Sequence, residues 1–329
     1  MNIVKVVSFV FILSFIKVMD FSPFTFGSSN AQLPKSNVSV AENVIFQSVD
    51  KGKTWQDISI GLPENKENYN LFSFENGLHI HAGNEMFHRN TNISILNWTK
   101  EYAINDLGNV AVCKTGLYAI KYDGKISKKH TYINSWVPAY SNFKEKNLRT
   151  VFETSSGAVL IGSDHGLFKS TNDGETWKEV LEKGWVIKIV ESNGVLVATS
   201  QNGIIRSTDD GENWDVVVSE GGVGIDVASI KGGFAAISYN TTSKTRRVRT
   251  SYDAGKTWQI IDAGLPPHDL IANILQVDEY LFCGHPKGIF RSSDKGKNWE
   301  LMKPAIGDKV FNLNVVGNVI YAIPKVGGC

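Results

Sequence analysis

The chain has 329 residues, 42% of them hydrophobic and 20% charged, which excludes a disordered chain and suits one large domain or two small ones. A formal net charge of +1 gives no ground for a nucleic-acid or anionic-membrane partner. Three cysteines, Cys113, Cys283 and Cys329, allow at most one internal disulfide and have no metal-ligand spacing, so Cys113 and Cys283 are expected as free buried thiols.

In chain order, the first element is a targeting segment. Lys5 precedes an apolar run from Val6 to Ile16, which Lys17 and Asp20 close. The run is too short to span a bilayer and has the length of a signal-peptide core. The small residues of "GSSNAQ" place cleavage after Ala31, with Ser29 also fitting. Residues 1–31 are therefore expected as a signal peptide, 32–42 as a linker and 43–329 as an exported domain, secreted or periplasmic. An uncleaved anchor is the alternative.

From Ser48 onward one octapeptide recurs: "SVDKGKTW" (Ser48–Trp55), "STNDGETW" (Ser170–Trp177), "STDDGENW" (Ser207–Trp214), "SYDAGKTW" (Ser251–Trp258) and "SSDKGKNW" (Ser292–Trp299). Trp98 and Trp136 fill the gap between the first two copies, so seven of the eight tryptophans recur at about forty residues. Within a unit, as in 185–219, short Val- and Ile-rich runs alternate with turn signals, which predicts four strands joined by hairpins. Four short strands per forty residues describe a β-propeller blade.

First halves of units begin near Leu71, Tyr102, Leu148, Val186, Ile225, Leu270 and Val310. The octapeptide at Ser48 has no first half before it, and Val310–Pro324 has no second half after it. These orphans complete one blade together. The expected fold is all-β, a seven-bladed propeller closed by pairing N- and C-terminal strands, which removes two open edges.

The octapeptide's own chemistry is structural. Asp50, Asn172, Asp209, Asp253 and Asp294 carry side-chain oxygens that accept backbone N–H groups in a tight turn. Gly52, Gly174, Gly211, Gly255 and Gly296 allow positive φ, and Trp55, Trp177, Trp214, Trp258 and Trp299 bury a large apolar area. A calcium loop would need oxygens at alternate positions and a bidentate carboxylate beyond them, whereas Asp209 and Asp210 are adjacent.

On these residues the octapeptide resembles the Asp-box of bacterial sialidases and related propellers. The resemblance implies ligands on the face opposite the Asp-box turns, over the central channel. Sialidases also use six blades, three convergent arginines and an Arg-Ile-Pro signature, which this sequence lacks. In length and blade number the chain is more similar to the exported photosystem II assembly factors, which are binding scaffolds with a basic patch. No residue here identifies a photosynthetic client. Sortilin-type receptors share the repeat but use ten blades and a membrane span.

Turns between strands two and three align on a glycine: "CKTG" at Gly116, "SDHG" at Gly166, "SQNG" at Gly203, "HPKG" at Gly288 and "PKVG" at Gly327. That places Lys114, Asp164, His165, Gln201, His285, Lys287 and Lys325 on the face opposite the octapeptides. "SYNTTSKTRRVR" is read as a longer version of the same turn, carrying Tyr239, Arg246 and Arg247. Trp185 is the one tryptophan outside the period and lies in a blade-to-blade loop. It either forms a platform for a sugar ring or peptide with Arg149, His165 and Lys287, or plugs the wall between blades.

His79 and His81 share a strand face but no third metal ligand is spaced to join them, so no metal and no cofactor are expected. Arg206, Arg291 and Arg249, just before octapeptide serines, read as repeat positions on solvated strand faces. Four sequons, at Asn37, Asn92, Asn97 and Asn240, matter only in a glycosylating host. The expected function is a monomeric, non-catalytic binding propeller for a protein or glycan. The rival is a glycoside hydrolase, in which Asp164 would need a second acid such as Glu64 or Glu145.

Overall fold

A computed structural model describes residues 41–64, 69–75, 77–83, 85–90, 97–101, 107–121, 123–130, 135–140 and 147–327. The expected signal peptide, most of the expected linker, and Tyr102, Glu145, Asn37, Asn92 and Cys329 lie outside the described residues.

The strands form seven four-stranded antiparallel sheets, arranged as the blades of a propeller. Inner strands are Asn70–Phe74, Leu107–Cys113, Leu148–Glu153, Val186–Ser192, Gly222–Ile230, Asn273–Val277 and Lys309–Val316, which number blades 1 to 7. Blade 7 takes its inner and second strands from the C-terminal end and its third and outer strands, Phe46–Ser48 and Gln56–Asp57, from the N-terminal end. Phe46, Gln47 and Ser48 pair with Ala322, Tyr321 and Ile320, which is the expected closure. The described inner strand of blade 2 is Leu107–Cys113, and the expected start at Tyr102 lies outside the described residues.

Second strands such as Gly77–Ala82 and Val159–Ser163 are buried along their whole length. They are rich in apolar and small residues, with polar side chains such as His79 and His81 buried among them, because both of their faces meet a neighbouring blade. Outer strands are mostly exposed. The apolar core is accordingly divided into seven clusters, one at each blade–blade interface. Each cluster receives one of the periodic indoles: Trp98 between blades 7 and 1, Trp136 between 1 and 2, Trp177 between 2 and 3, and so on round to Trp55 between 6 and 7.

The octapeptides turn between third and outer strands with one bonding scheme. The serine hydroxyl donates to the acid or amide Oδ1 at 2.8–2.9 Å. It also accepts the glycine N–H at 2.8–3.0 Å. The same Oδ1 accepts the N–H four residues on, at Thr54, Thr176, Asn213, Thr257 and Asn298. Trp55, Trp214, Trp258 and Trp299 donate their indole N–H back to the glycine carbonyl at 3.0–3.1 Å. The glycines adopt φ of +78° to +88° and face the preceding blade, where a Cβ at Gly52 would stand 2.7 Å from the Phe282 ring. Glycine is thus required twice, by dihedral and by space.

The cation before the octapeptide serine is not solvated as expected. Lys169 is buried and its ammonium meets Asp210 and Glu212 of the next blade's turn at 3.1 and 2.9 Å. Arg206 Nε donates to Ala254 O at 2.6 Å, and Arg291 Nη1 to Lys51 O at 2.9 Å. Arg249 is buried and paired with Glu220. Each side chain lies between two blades, so the stem is covered while the charge finds a partner across the gap. Cys113 and Cys283 are free and buried or half-buried, and burial pushes the Cys113 thiol up to about 12. Asn97 is exposed, whereas the Asn240 amide is spent on its own turn, accepting Thr242 and Ser243 N–H at 2.9 Å.

Gly52→Ala is expected to destabilise the fold by about 3 kcal/mol, from positive φ plus overpacking. A lower urea midpoint with an unchanged m-value would show it. The carboxyls of Asp50, Asp209 and Asp294 are held down to about 2, chiefly by bonds from the residue four positions on. Their folded values lie below the ordinary 3.8, so their contribution is complete above about pH 4 and is lost as pH falls towards 2. Asp209→Asn should flatten that acid limb in a pH series of urea melts, leaving stability at pH 7 nearly unchanged because Asn172 already occupies the same position in another copy.

Candidate functional site

The inner strands line the central channel, and at its mouth, the end opposite the octapeptide turns, four consecutive strands break register. One extra residue interrupts pairing at Leu107/Asn109, Leu148/Thr150, Val186/Ile189 and Gly224/Asp226, in blades 2 to 5. The described inner strands of blades 6, 7 and 1 pair without such a shift. A bulge bends a strand and re-aims side chains. Here the four bulges form an arc on one side of the mouth, at Gly108, Arg149, Ile187–Lys188 and Ile225.

Polar groups near these bulges tie neighbouring blades together. Asn70 Nδ2 donates to Asn109 Oδ1 at 2.8 Å, and Asn109 Nδ2 to Arg149 O at 3.3 Å. The Lys188 ammonium donates to Asp226 Oδ1 at 2.7 Å, while Asp226 Oδ2 accepts Ile274 N–H at 3.0 Å, so one carboxylate joins blades 4, 5 and 6. Asn273 exchanges two bonds with the Leu313 backbone, at 2.6 and 3.1 Å. Arg149 grips Asp164 with Nε and Nη2 at 2.5 and 3.0 Å, and that carboxylate holds the guanidinium above its ordinary range. In both ion pairs the cation reaches further out than its acid, 51% against 31% for Arg149 and Asp164 and 46% against 6% for Lys188 and Asp226. Ile187, between them, is 46% exposed.

The expected site residues divide. Arg149 and Asp164 come together. Trp185 is half-buried in the connection into blade 4, where its carbonyl accepts Gln201 N–H at 3.2 Å. Gln201, His165 and Lys287 are exposed in turns between second and third strands. His285 is fully buried, its Nε2 2.8 Å from Pro266 O and its Nδ1 accepting Lys287 N–H, and burial lowers its pKa, so it braces a turn. Tyr239, Arg246 and Arg247 lie in paired strands, Tyr239 opposite Arg246, not in the expected long turn, whose residues instead extend the hairpin. The Arg246 guanidinium donates to Ile271 O at 2.6 Å.

Lys114 is on the other face. Gly116 opens a second strand, so "CKTG" is the turn between strands one and two, and Lys114 donates to Ser155 O at 3.1 Å on the octapeptide side. Both hairpins of this blade carry a glycine, Gly116 and Gly124, which is why the sequence alone misassigned it. His79 and His81 are buried in blade 1, and no group of three or more metal-ligating side chains among the described residues could hold a metal. Asn70, Asn109, Lys188, Asp226 and Asn273 were missed. Their signal was present, polar residues one blade apart near the start of each inner strand.

No family model matches the chain, and no curated protein matches it. Solved structures do. The extracellular domain of the putative one component system BT4673 from B. thetaiotaomicron superposes with TM-score 0.61 at 11% identity, over 78% of this chain and 37% of that one. The extracellular domain described as the putative hybrid two component system BT4673 gives 0.59 at 11%, over 74% and 35%. The chain therefore spans little more than a third of those structures. YCF48 from Cyanidioschyzon merolae gives 0.57 at 13%, over 80% of this chain and 97% of that one. At these identities the likeness establishes the propeller fold.

Asp226→Ala is expected to cost about 2 kcal/mol, less than a fully buried pair because the Lys188 ammonium reaches solvent. Lys188→Met should cost less, and the double variant less than the sum of the two in urea unfolding.

Proposed function

We propose that the chain is an exported, non-catalytic binding propeller of the Asp-box type, which recognises its partner across the channel mouth on the side of blades 2 to 5. The bulged arc carries this reading. Regular pairing would serve a purely structural ring, yet four consecutive blades give it up at one end of the channel. There they present Arg149, Ile187 and Lys188. An apolar side chain between two outward cations suits a protein partner. A glycan is the second reading, favoured by half-buried Trp185 beside Gln201.

A hydrolase of the sialidase-like type would use two carboxyl groups facing across the mouth. Of the described acids beside the bulges, Asp164 is held by Arg149 and Asp226 by Lys188 and Ile274 N–H. Neither is poised to move a proton to a substrate. Glu64, the other described candidate, is on no bulged strand. An extracytoplasmic location is supported by two neighbours that are extracellular domains. Among the described residues no helix is long and apolar enough to cross a membrane.

The test is a display selection of peptides and a glycan array, both probed with the full chain, alongside fluorogenic glycosides. Saturable peptide binding, weakened at least about tenfold by Arg149→Ala or Ile187→Ser and without turnover, is the expected result. Glycan binding lost in Trp185→Ala would favour the second reading, and turnover of any glycoside would overturn both.

A further inference from the structure

The crossing from blade 5 to blade 6 lies at the mouth end of the channel, next to the last of the bulged blades. Burial anchors it at two points. Leu265 and Ile271 belong to the apolar cluster between these blades and are 5% and 1% exposed. Between the anchors, residues 266–270 are half-buried or exposed, and hydrogen bonds hold them down. Two of those bonds pass through histidines.

His285 ends the second strand of blade 6, Tyr280–His285, and is fully buried. Its Nδ1 accepts the Lys287 N–H at 3.0 Å, so Nε2 carries the hydrogen and donates it to Pro266 O at 2.8 Å. A neutral imidazole has one donor and one acceptor, and backbone groups use both. A second proton would have to sit on Nδ1, facing the Lys287 N–H, and would cost that bond. His268, in the crossing itself, stands edge to face with His285 at 5.8 Å. Its Nδ1 faces two partners and serves one at a time. It is 3.2 Å from Leu270 N, whose hydrogen it accepts only when it carries none. It is 2.9 Å from Asp269 Oδ1, to which it donates only when it carries a proton.

The surroundings oppose a charge on His285. Burial is the main cause that holds its pKa below the ordinary 6.5, and the charges of His268 and of Lys287 in its own turn act in the same direction, against the bond to Pro266 O. From blade 5, Arg246 donates its N–H to His268 O at 3.2 Å and its guanidinium to Ile271 O at 2.6 Å. Arg247 is paired with Asp262 at 2.9 Å, and Asp269 with His268, so neither acid forms an ion pair with His285. Blade 6 adds the uncharged Phe290 ring, edge to face at 5.2 Å. We propose that residues 266–270 form an acid-released latch at the channel mouth, shut while Nδ1 of His285 and of His268 are unprotonated and opened when protons there displace the Lys287 and Leu270 N–H groups. Opening uncovers the half-buried Leu270 and loosens the chain shortly before Ile274, whose N–H is held by Asp226 of the bulged arc. The latch requires no partner at the mouth, so it holds or fails separately from the binding reading. Because the folded pKa of His285 is depressed, the closed form is fully stable above about pH 6.5 and weakens as pH falls from there towards the folded value. The octapeptide carboxyls keep their contribution down to about pH 4, so acid acts on the latch first.

The test is amide hydrogen exchange of the full chain, followed residue by residue at about pH 7.5 and about pH 5, each rate divided by the intrinsic rate at that pH. Protection of the Lys287 and Leu270 amides is expected to fall at least about fivefold at the lower pH. The Gly255 and Gly296 amides, bonded to their octapeptide serines, should keep theirs. His268→Asn puts an oxygen that cannot gain a proton in place of Nδ1, so the fall at Leu270 should shrink at least about twofold. His285→Phe should abolish the pH dependence at Lys287, whatever that variant's own protection. Histidine NMR should find His285 as the Nε2–H tautomer, titrating below 6.5. Unchanged protection at Lys287 and Leu270 between the two pH values, an equal loss at Gly255 and Gly296, an undiminished pH response in both variants, or a His285 that titrates at or above 6.5 would overturn the latch.

Discussion

Everything in this molecule depends on one contact made seven times, a tryptophan of one blade driven into the interface with the blade before it. A four-stranded sheet of this size cannot bury both faces by itself. The indole packs a large apolar surface against each joint, and in the octapeptide copies the turn glycine brings the backbone close enough for that joint to shut. The hydroxyl and carboxylate bonds within the turn add little burial. They fix the angle at which the indole leaves the sheet. In three copies the cation ahead of the serine, Lys169, Arg206 or Arg291, reaches the opposite way, to the following blade, so these blades are held on both faces, by an apolar contact on one and a polar clasp on the other.

Spreading the core over seven interfaces has a consequence for where function can be. No side chain in a joint can be recruited for chemistry without opening two blades. The octapeptide acids, which look like a site when read alone, are consumed by their own turns. Their depressed carboxyl pKa values come from intramolecular bonds to Thr54, Asn213 and Asn298, not from a metal or substrate position. Freedom remains at the strand ends, where the chain crosses between blades.

The tryptophan period was enough to read the blade count and the shared blade from the sequence, because the physics behind it is local and repeated. The bulges were not readable. A bulge is a property of two strands in register, and nothing in "LRTVFE" or "VIKIVES" marks which residue will be left over. For the same reason Arg149 was singled out without its true setting, and Lys188 and Asp226 were passed over though they bridge adjacent blades. Lys114 went to the wrong face since a glycine turn signals a hairpin without saying which one. His285 was taken for a ligand-facing residue because exposure cannot be told from position within a turn when the neighbouring loop, carrying Pro266, folds over it.

The pairing of Phe46–Ser48 with the strand of Ala322 also governs the order in which the molecule can come into being. The first propeller strand to leave the ribosome is the third strand of a blade whose first two strands are made last. Until the last strands are made, blades 1 to 6 form an arc with two bare sheet edges, and the earliest strand has only its hairpin partner Gln56–Asp57. The closing step therefore joins the first and last described strands of the propeller in space. Its entropic cost rises only slowly with the length enclosed, but its timing is late by construction. A chain that emerges into a crowded compartment carries its edges exposed throughout that interval, a window in which an escort or rapid completion decides between closure and association with another unfinished ring.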